Sequence, residues 1–192
     1  LIAGIVLAAG RSRRMGKPKP FLRLGGATFL ERAVAALREG GCAAVWVVAG
    51  PGVAGDRVAD AARALGATAL RNPDADAEQV QSLRIALAAL PDDVEGAAVL
   101  PVDVPEVEPA VVRAVADAFL RTRAPVVVPA RAGRHGHPVL FARATWPRLH
   151  GHLPEGARTV VHTADRVEVP VDALAADVDT PDDLRRLRER AE

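Results

Sequence analysis

The chain has no tyrosine, four phenylalanines and two tryptophans, so aromatic residues make up only 3% of its 192 residues. A surface that reads unpaired bases needs rings to stack on them, and this composition argues against nucleic-acid binding. A single cysteine, Cys42, excludes an intramolecular disulfide framework and a multi-cysteine metal site. It fits a reducing, cytoplasmic setting. The formal net charge of +1 supplies no strong field toward nucleic acid or an anionic membrane. No apolar run reaches the roughly twenty residues that cross a bilayer. The first apolar run lacks a basic leader and passes into a charged loop, so it is not read as a signal peptide. Two polar types are also scarce: lysine occurs only at Lys17 and Lys19, and serine only at Ser12 and Ser82.

What is present is ordinary for a soluble globular protein, with 49% hydrophobic and 26% charged residues. The length predicts one domain spanning residues 1–192. Residues 2–8, 43–49 and 96–102 are apolar on both faces and read as buried strands. Shorter strands are expected at 67–70, 126–129, 138–141 and 167–169. Thr28 followed by Glu31 is a capping box for a helix over 29–38, ended by Gly40 and Gly41. Further helices are expected at 55–65, 80–90, from Pro109 to about 122, at 143–150, at 156–164, and at 181–190 with Thr180 as its N-cap. Strands alternating with helices imply a mostly parallel sheet covered on both faces, a single Rossmann-like α/β domain. Ligands in such sheets bind at the carboxyl ends of strands. The loop at 10–20 and Asp103 both follow strands directly and fall on that edge.

The loop begins L-A-A-G-R-S-R-R-M-G-K-P-K-P, and both lysines of the chain lie in it. Glycine and small residues after a strand let backbone N–H groups approach an anion. Arg11, Arg13, Arg14, Lys17 and Lys19 add positive charge suited to phosphate oxygens. The sequence is neither the G-x-x-x-x-G-K-[ST] phosphate loop nor the G-x-G-x-x-G dinucleotide fingerprint. A basic glycine loop taken alone is more often a solvated turn than a site.

The order of residues is more specific. Gly10, Ser12, Arg14, Met15, Gly16 and Lys19 resemble the nucleotidyltransferase signature L-[AG]-[AG]-G-x-S-x-R-M-G-x-x-K. The resemblance is to the family that transfers CMP or GMP to molybdopterin, and it covers nearly the whole chain. Asn72-Pro73, Gln81-Ser82-Leu83, P-V-D-V-P at 101–105, G-H-P-V-L-F at 136–141, E-G-A-R at 155–158 and D-V-D-T-P-D-D-L at 177–184 follow in the family's order.

That resemblance implies a role for each position. Arg14 and Lys19 hold the triphosphate and act with Asp103 in catalysis, and Ala8, Ala9, Gly10, Ser12 and Ser82 complete the nucleotide site. Asp103 and Asp179 ligate Mg²⁺, a hard cation suited to carboxylate and phosphate oxygens. Asp177 is the alternative to Asp179, and D-T-P-D-D-L is also an ordinary helix start. His137 and Arg158 meet the acceptor, and His135 is surface. Ser82 is divided evenly between facing the base and lying exposed near a helix start. Cys42 is read as a small buried residue.

Two stretches depart from the family pattern, and they bear on substrate identity rather than reaction type. Val102 stands where a glycine is usual, and Gln79 and Gln81 precede the serine where glycine and methionine are usual. L-A-A-G in place of L-A-G-G resembles the cytidylyl branch. The expected reaction is therefore CMP transfer from CTP to a phosphate-bearing pterin acceptor, with a molybdoenzyme downstream and neither nucleic acid nor membrane as partner. The rivals are a sugar- or polyol-phosphate nucleotidyltransferase and a non-catalytic protein that delivers cofactor.

Overall fold

The segment Ile2–Ala8 carries no polar side chain and is buried along its whole length, as a strand covered on both faces must be. It is β1, the centre of the sheet in a computed structural model that describes residues 1–10, 15–74, 76 and 78–191. The remaining strands are β2 (Arg23–Leu24), β3 (Ala27–Thr28), β4 (Ala44–Ala49), β5 (Thr68–Arg71), β6 (Gly96–Pro101), β7 (Val126–Arg131), β8 (Arg134–His135), β9 (Val139–Ala142) and β10 (Arg166–Pro170). The α-helices are α1 (Phe29–Glu39), α2 (Gly52–Ala64), α3 (Gln79–Ala88), α4 (Pro109–Thr122), α5 (Trp146–Leu149), α6 (Ala157–Thr163) and α7 (Pro181–Ala191).

Among the described residues the main sheet has eight strands, ordered β10-β7-β9-β6-β1-β4-β5, with β8 paired to β7. β1 lies parallel between β4 and β6, so Val6 stands opposite Val47 on one side and Leu100 on the other. β4 and β5 are also parallel, as are β7 and β10. β9 is antiparallel to both β6 and β7. Seven residues separate β7 from β9, too few for the crossover a parallel partner requires, so the chain returns as a hairpin.

Alternation along β1 divides the core. Ile2, Val6 and Ala8 pack with α1, α2 and α4 on one face, where Phe29, Leu37 and Phe119 are almost fully buried. Ala3, Ile5 and Leu7 pack with α3, α5 and α6 on the other, beside Leu83, Phe141 and Leu149. Cys42 is buried as expected, and burial pushes its thiol up to about 12. The Thr28 and Glu31 capping box is present in full. The small β2–β3 hairpin has no signal in the sequence, because two-residue strands leave no periodicity to read. Among the described residues, no helix is long and apolar enough to cross a membrane.

Candidate active site

Three segments meet at the carboxyl edge of β1 and β6. After β1 the chain passes through the basic loop and is stiffened by two prolines around Lys19. Pro18 enters with φ −61° and Pro20 lies in the first turn of a 3-10 helix over Lys19–Phe21. Proline's fixed φ suits that turn. Pro20 is buried, and the Phe21 and Leu22 N–H groups donate to the Pro18 and Lys19 carbonyls. Lys19 therefore leaves a rigid corner rather than a loose loop.

Asp103 directly follows β6, past Val102. Val102 donates its N–H to the Leu7 carbonyl and buries its side chain in the core. The valine that replaces the usual glycine thus extends the sheet pairing and turns away from the cleft. The third segment runs from 177 to 180. The Val178 N–H donates to the Asp103 carbonyl at 2.8 Å, with the Val178 side chain buried. This one backbone bond sets Asp177 and Asp179, the neighbours of Val178, beside Asp103.

The start of α7 then fixes Asp179. Asp183 Oδ2 accepts from the Thr180 N–H at 2.8 Å, the Thr180 hydroxyl at 2.7 Å and the Asp179 N–H at 3.2 Å. Thr180 Oγ1 in turn accepts from the Asp183 N–H. These hydrogen bonds hold the Asp183 carboxyl below the usual carboxylate range. The expected N-cap is thus reciprocal, with aspartate where glutamate is commoner.

The three segments converge on one ammonium. Lys19 Nζ donates to Asp103 Oδ2 at 2.8 Å and to Asp179 Oδ1 at 2.6 Å. Burial opposes the Lys19 charge, but the hydrogen bonds and charges of both carboxylates outweigh it and raise its pKa. Asp177 makes no such bond. Its carboxyl is pushed up by burial and then by the neighbouring Asp103 charge, with Asp179 adding to the effect. Of the two aspartates flanking Val178, Asp179 is the one that shares the Lys19 ammonium with Asp103.

A cavity of about 460 Å³ opens beside this cluster. Asp103, Asp177 and Asp179 line one side, Glu78 and Gln79 the start of α3, and Glu155 and Arg158 the far wall. Gly156 turns the chain into α6 with φ +59° and ψ −145°, a backbone that side chains other than glycine's rarely permit. That explains the glycine of E-G-A-R. His137 also lines the cavity, and its Nδ1 is buried without a hydrogen-bond partner. Burial lowers its pKa, against the opposing charges of Asp177 and Asp103, with Arg158 acting in the same direction as burial.

The remaining expected positions divide. Ser12 and Arg14, with Arg11 and Arg13, lie outside the described residues. Ala8, Ala9 and Gly10 line a separate hollow of about 210 Å³ with Gly50, Pro51 and Gly55. Gly55 is required there, since a Cβ would stand 1.7 Å from the Gly50 carbonyl oxygen. Of the two readings of Ser82, the exposed one is overturned. The residue is 3% exposed, it does not line the cavity, and its hydroxyl accepts from Asn72 Nδ2 at 2.9 Å. Asn72 also accepts the Asp74 N–H, so the pair secures the turn before α3. Period alone could have placed Ser82 inside, one residue before Leu83, whereas Gln79 in the first turn meets the cavity. His135 is partly shielded and bonds Glu168 at 2.7 Å, away from the cluster.

Among the described residues, no group of three or more histidine, cysteine or acidic side chains is arranged to hold an ion. The protein offers two paired carboxylates, a basic loop and a cavity. That arrangement suits a polyanion bringing further oxygen ligands of its own. Residues 4–169 match the family model described as the MobA-like NTP transferase domain. A "probable molybdenum cofactor guanylyltransferase" of Mycobacterium avium is 30% identical over 198 residues, covering 97% of this chain and 94% of that protein. The crystal structure of Rv0371c from Mycobacterium tuberculosis superposes with a TM-score of 0.83 at 32% identity, over 98% of each chain. A crystal structure of Rv0371c in complex with manganese gives 0.79 at 31% identity, again over 98% of each chain. The strand-edge cluster and these likenesses together make the chain a nucleotidyltransferase, belonging to the MobA-like NTP transferase domain family.

Proposed function

We propose that the protein transfers CMP from CTP to the terminal phosphate of a molybdopterin-type acceptor and releases pyrophosphate, with Mg²⁺ as its cofactor. The observation that carries this reading is the pairing of Asp103 and Asp179 across one positive charge at the carboxyl edge of β1 and β6. Two carboxylates held that closely suit Mg²⁺, which takes one or two protein carboxylates and completes its shell from phosphates and water. The ammonium between them marks a place for positive charge. When bound, the cation supplies charge neutralisation on the phosphates.

The chain's own groups do the rest. The Gly10 backbone, Ser12, Arg14 and Lys19 hold the triphosphate, and Arg158 and His137 hold the acceptor across the cavity. An acceptor phosphate oxygen attacks the α-phosphorus of CTP, the bond to the bridging oxygen breaks, and pyrophosphate leaves with the electron pair. The attacking phosphate is already an anion, so the chemistry needs positioning and charge stabilisation rather than a general base.

Cytosine is favoured by the Ala9 methyl at the end of β1, where glycine would leave room for a purine. A GMP-transferring reading is favoured by the Mycobacterium avium relative, which is named a guanylyltransferase. Pyrophosphate release with one pterin acceptor, Mg²⁺ and either nucleotide decides between them. The expected kcat/KM ratio for CTP over GTP is roughly ten- to two-hundredfold, the range that pocket fit provides. Equal values or a GTP preference would replace CMP by GMP. No release with either nucleotide would favour a cofactor-delivery protein.

A further inference from the structure

We propose that Lys19 is the keeper of the divalent-cation seat. In the nucleotide-free protein its ammonium occupies the position between Asp103 and Asp179 and excludes the cation, so that cation and nucleotide load together. The inference rests on the proposed role of those two carboxylates.

Lys19 Nζ stands 2.8 Å from Asp103 Oδ2 and 2.6 Å from Asp179 Oδ1. A magnesium ion seated between those same two oxygens would need them at about 2.1 Å. An ammonium and a cation cannot share that space, so the two occupants exclude one another. The lysine side chain is 13% exposed, against 25% for Asp103 and 41% for Asp179, so the ammonium is the most shielded member of the cluster.

Charge explains why exchange needs a third party. A cation arriving alone would have to displace a shielded lysine and leave its ammonium beside a dication. A triphosphate removes that obstacle, because its oxygens accept the displaced ammonium and complete the cation's shell. The 3-10 turn between Pro18 and Pro20 anchors the Lys19 backbone, so the exchange is a swing of the side chain. Lys19 therefore has two successive partners, the carboxylates before loading and the phosphates after it.

The test reads cation binding and not turnover. Free Mn²⁺ is titrated by electron paramagnetic resonance against the nucleotide-free full chain, as wild type and as Lys19→Met, Lys19→Gln and Lys19→Arg. Circular dichroism confirms folding of each. Removing a unit charge a few ångströms from the seat should tighten Mn²⁺ binding by at least about tenfold in Lys19→Met or Lys19→Gln. Lys19→Arg should stay as weak as wild type. With two neutral variants, either one that folds suffices, and failure of both to fold would itself overturn the proposal by making Lys19 a structural pin. Unchanged or weaker Mn²⁺ binding in a folded neutral variant overturns the exclusion while leaving the carboxylate seat intact. Absence of Mn²⁺ binding in every protein, with CTP or GTP added as well, overturns the seat and the proposed function's cofactor with it.

Discussion

Under the proposed function, Ala9 is the residue on which nucleotide choice turns. It lies at the end of β1 on the small hollow shared with Gly50 and Gly55. The backbone there is already close, since a Cβ on Gly50 would stand 2.9 Å from the Ala9 carbonyl oxygen. Little room is left for the site to yield around an added methyl, and Ala9→Gly would supply that room without touching a phosphate contact. The expected outcome is a CTP over GTP preference in kcat/KM reduced to within about threefold, from the roughly ten- to two-hundredfold range of pocket fit, with transfer itself retained. An unchanged ratio would place the specificity elsewhere, on the cavity beside Asp103. Glu78 and Gln79 are the next residues to exchange, because both line it at the start of α3.

At the scale of an element, the start of α7 serves the site as much as the helix. Thr180 and Asp183 satisfy one another's backbone N–H groups, and Asp183 also receives the Asp179 N–H. A good N-cap residue replaced by alanine costs about 1 kcal/mol. In a protein of this size that is a fall of about 2–4 °C in Tm. Thr180→Ala should show that fall in a calorimetric scan. It should also raise the Mn²⁺ concentration needed for half-maximal transfer, because Asp179 loses part of its mooring. A destabilised variant whose Mn²⁺ dependence is unchanged would confine the box to capping. Its acidic partner is an aspartate, and D-T-P-D-D-L reads equally as a helix start and as a ligand segment. The same Asp183 carboxylate caps the helix and holds the Asp179 backbone, so the two readings are compatible.

For the whole molecule, two buried side-chain nitrogens have no hydrogen-bond partner among the described residues, Arg71 Nη1 and His137 Nδ1. His137, just before β9, has a buried Nδ1 with no hydrogen bond. Burial disfavours the charged ring and lowers its pKa from 6.5, while Asp177 and Asp103 pull the other way and Arg158 adds to the lowering. The unfolded chain then binds more protons than the folded chain below about 6.5. Stability from this group is complete above that value and is lost as pH falls through it toward the folded value. The urea midpoint of the wild type should therefore drop more steeply between pH 7 and pH 5 than that of His137→Gln, which cannot be protonated. Parallel curves would show that His137 keeps an ordinary pKa.

By itself, the sequence determined whatever depends on neighbours along the chain. Apolar runs with both faces covered announced β1, β4 and β6, and Thr28 with Glu31 announced the start of α1. The position of the basic loop and of Asp103 after strands placed both on the edge where such sheets bind ligands. Family resemblance supplied the roles. Only the tertiary structure decided which of those groups meet. Asp103 and Asp179 belong to segments far apart in the chain, and no local pattern records that the Val178 N–H bonds the Asp103 carbonyl. Nor could a local pattern show that Lys19, read as a phosphate ligand, pairs with both carboxylates, or that Ser82 turns inward to Asn72. Strand and helix propensity act through the residue's own backbone and its near neighbours. Convergence at a sheet edge follows from strand order and register, which are settled by the packing of the whole core.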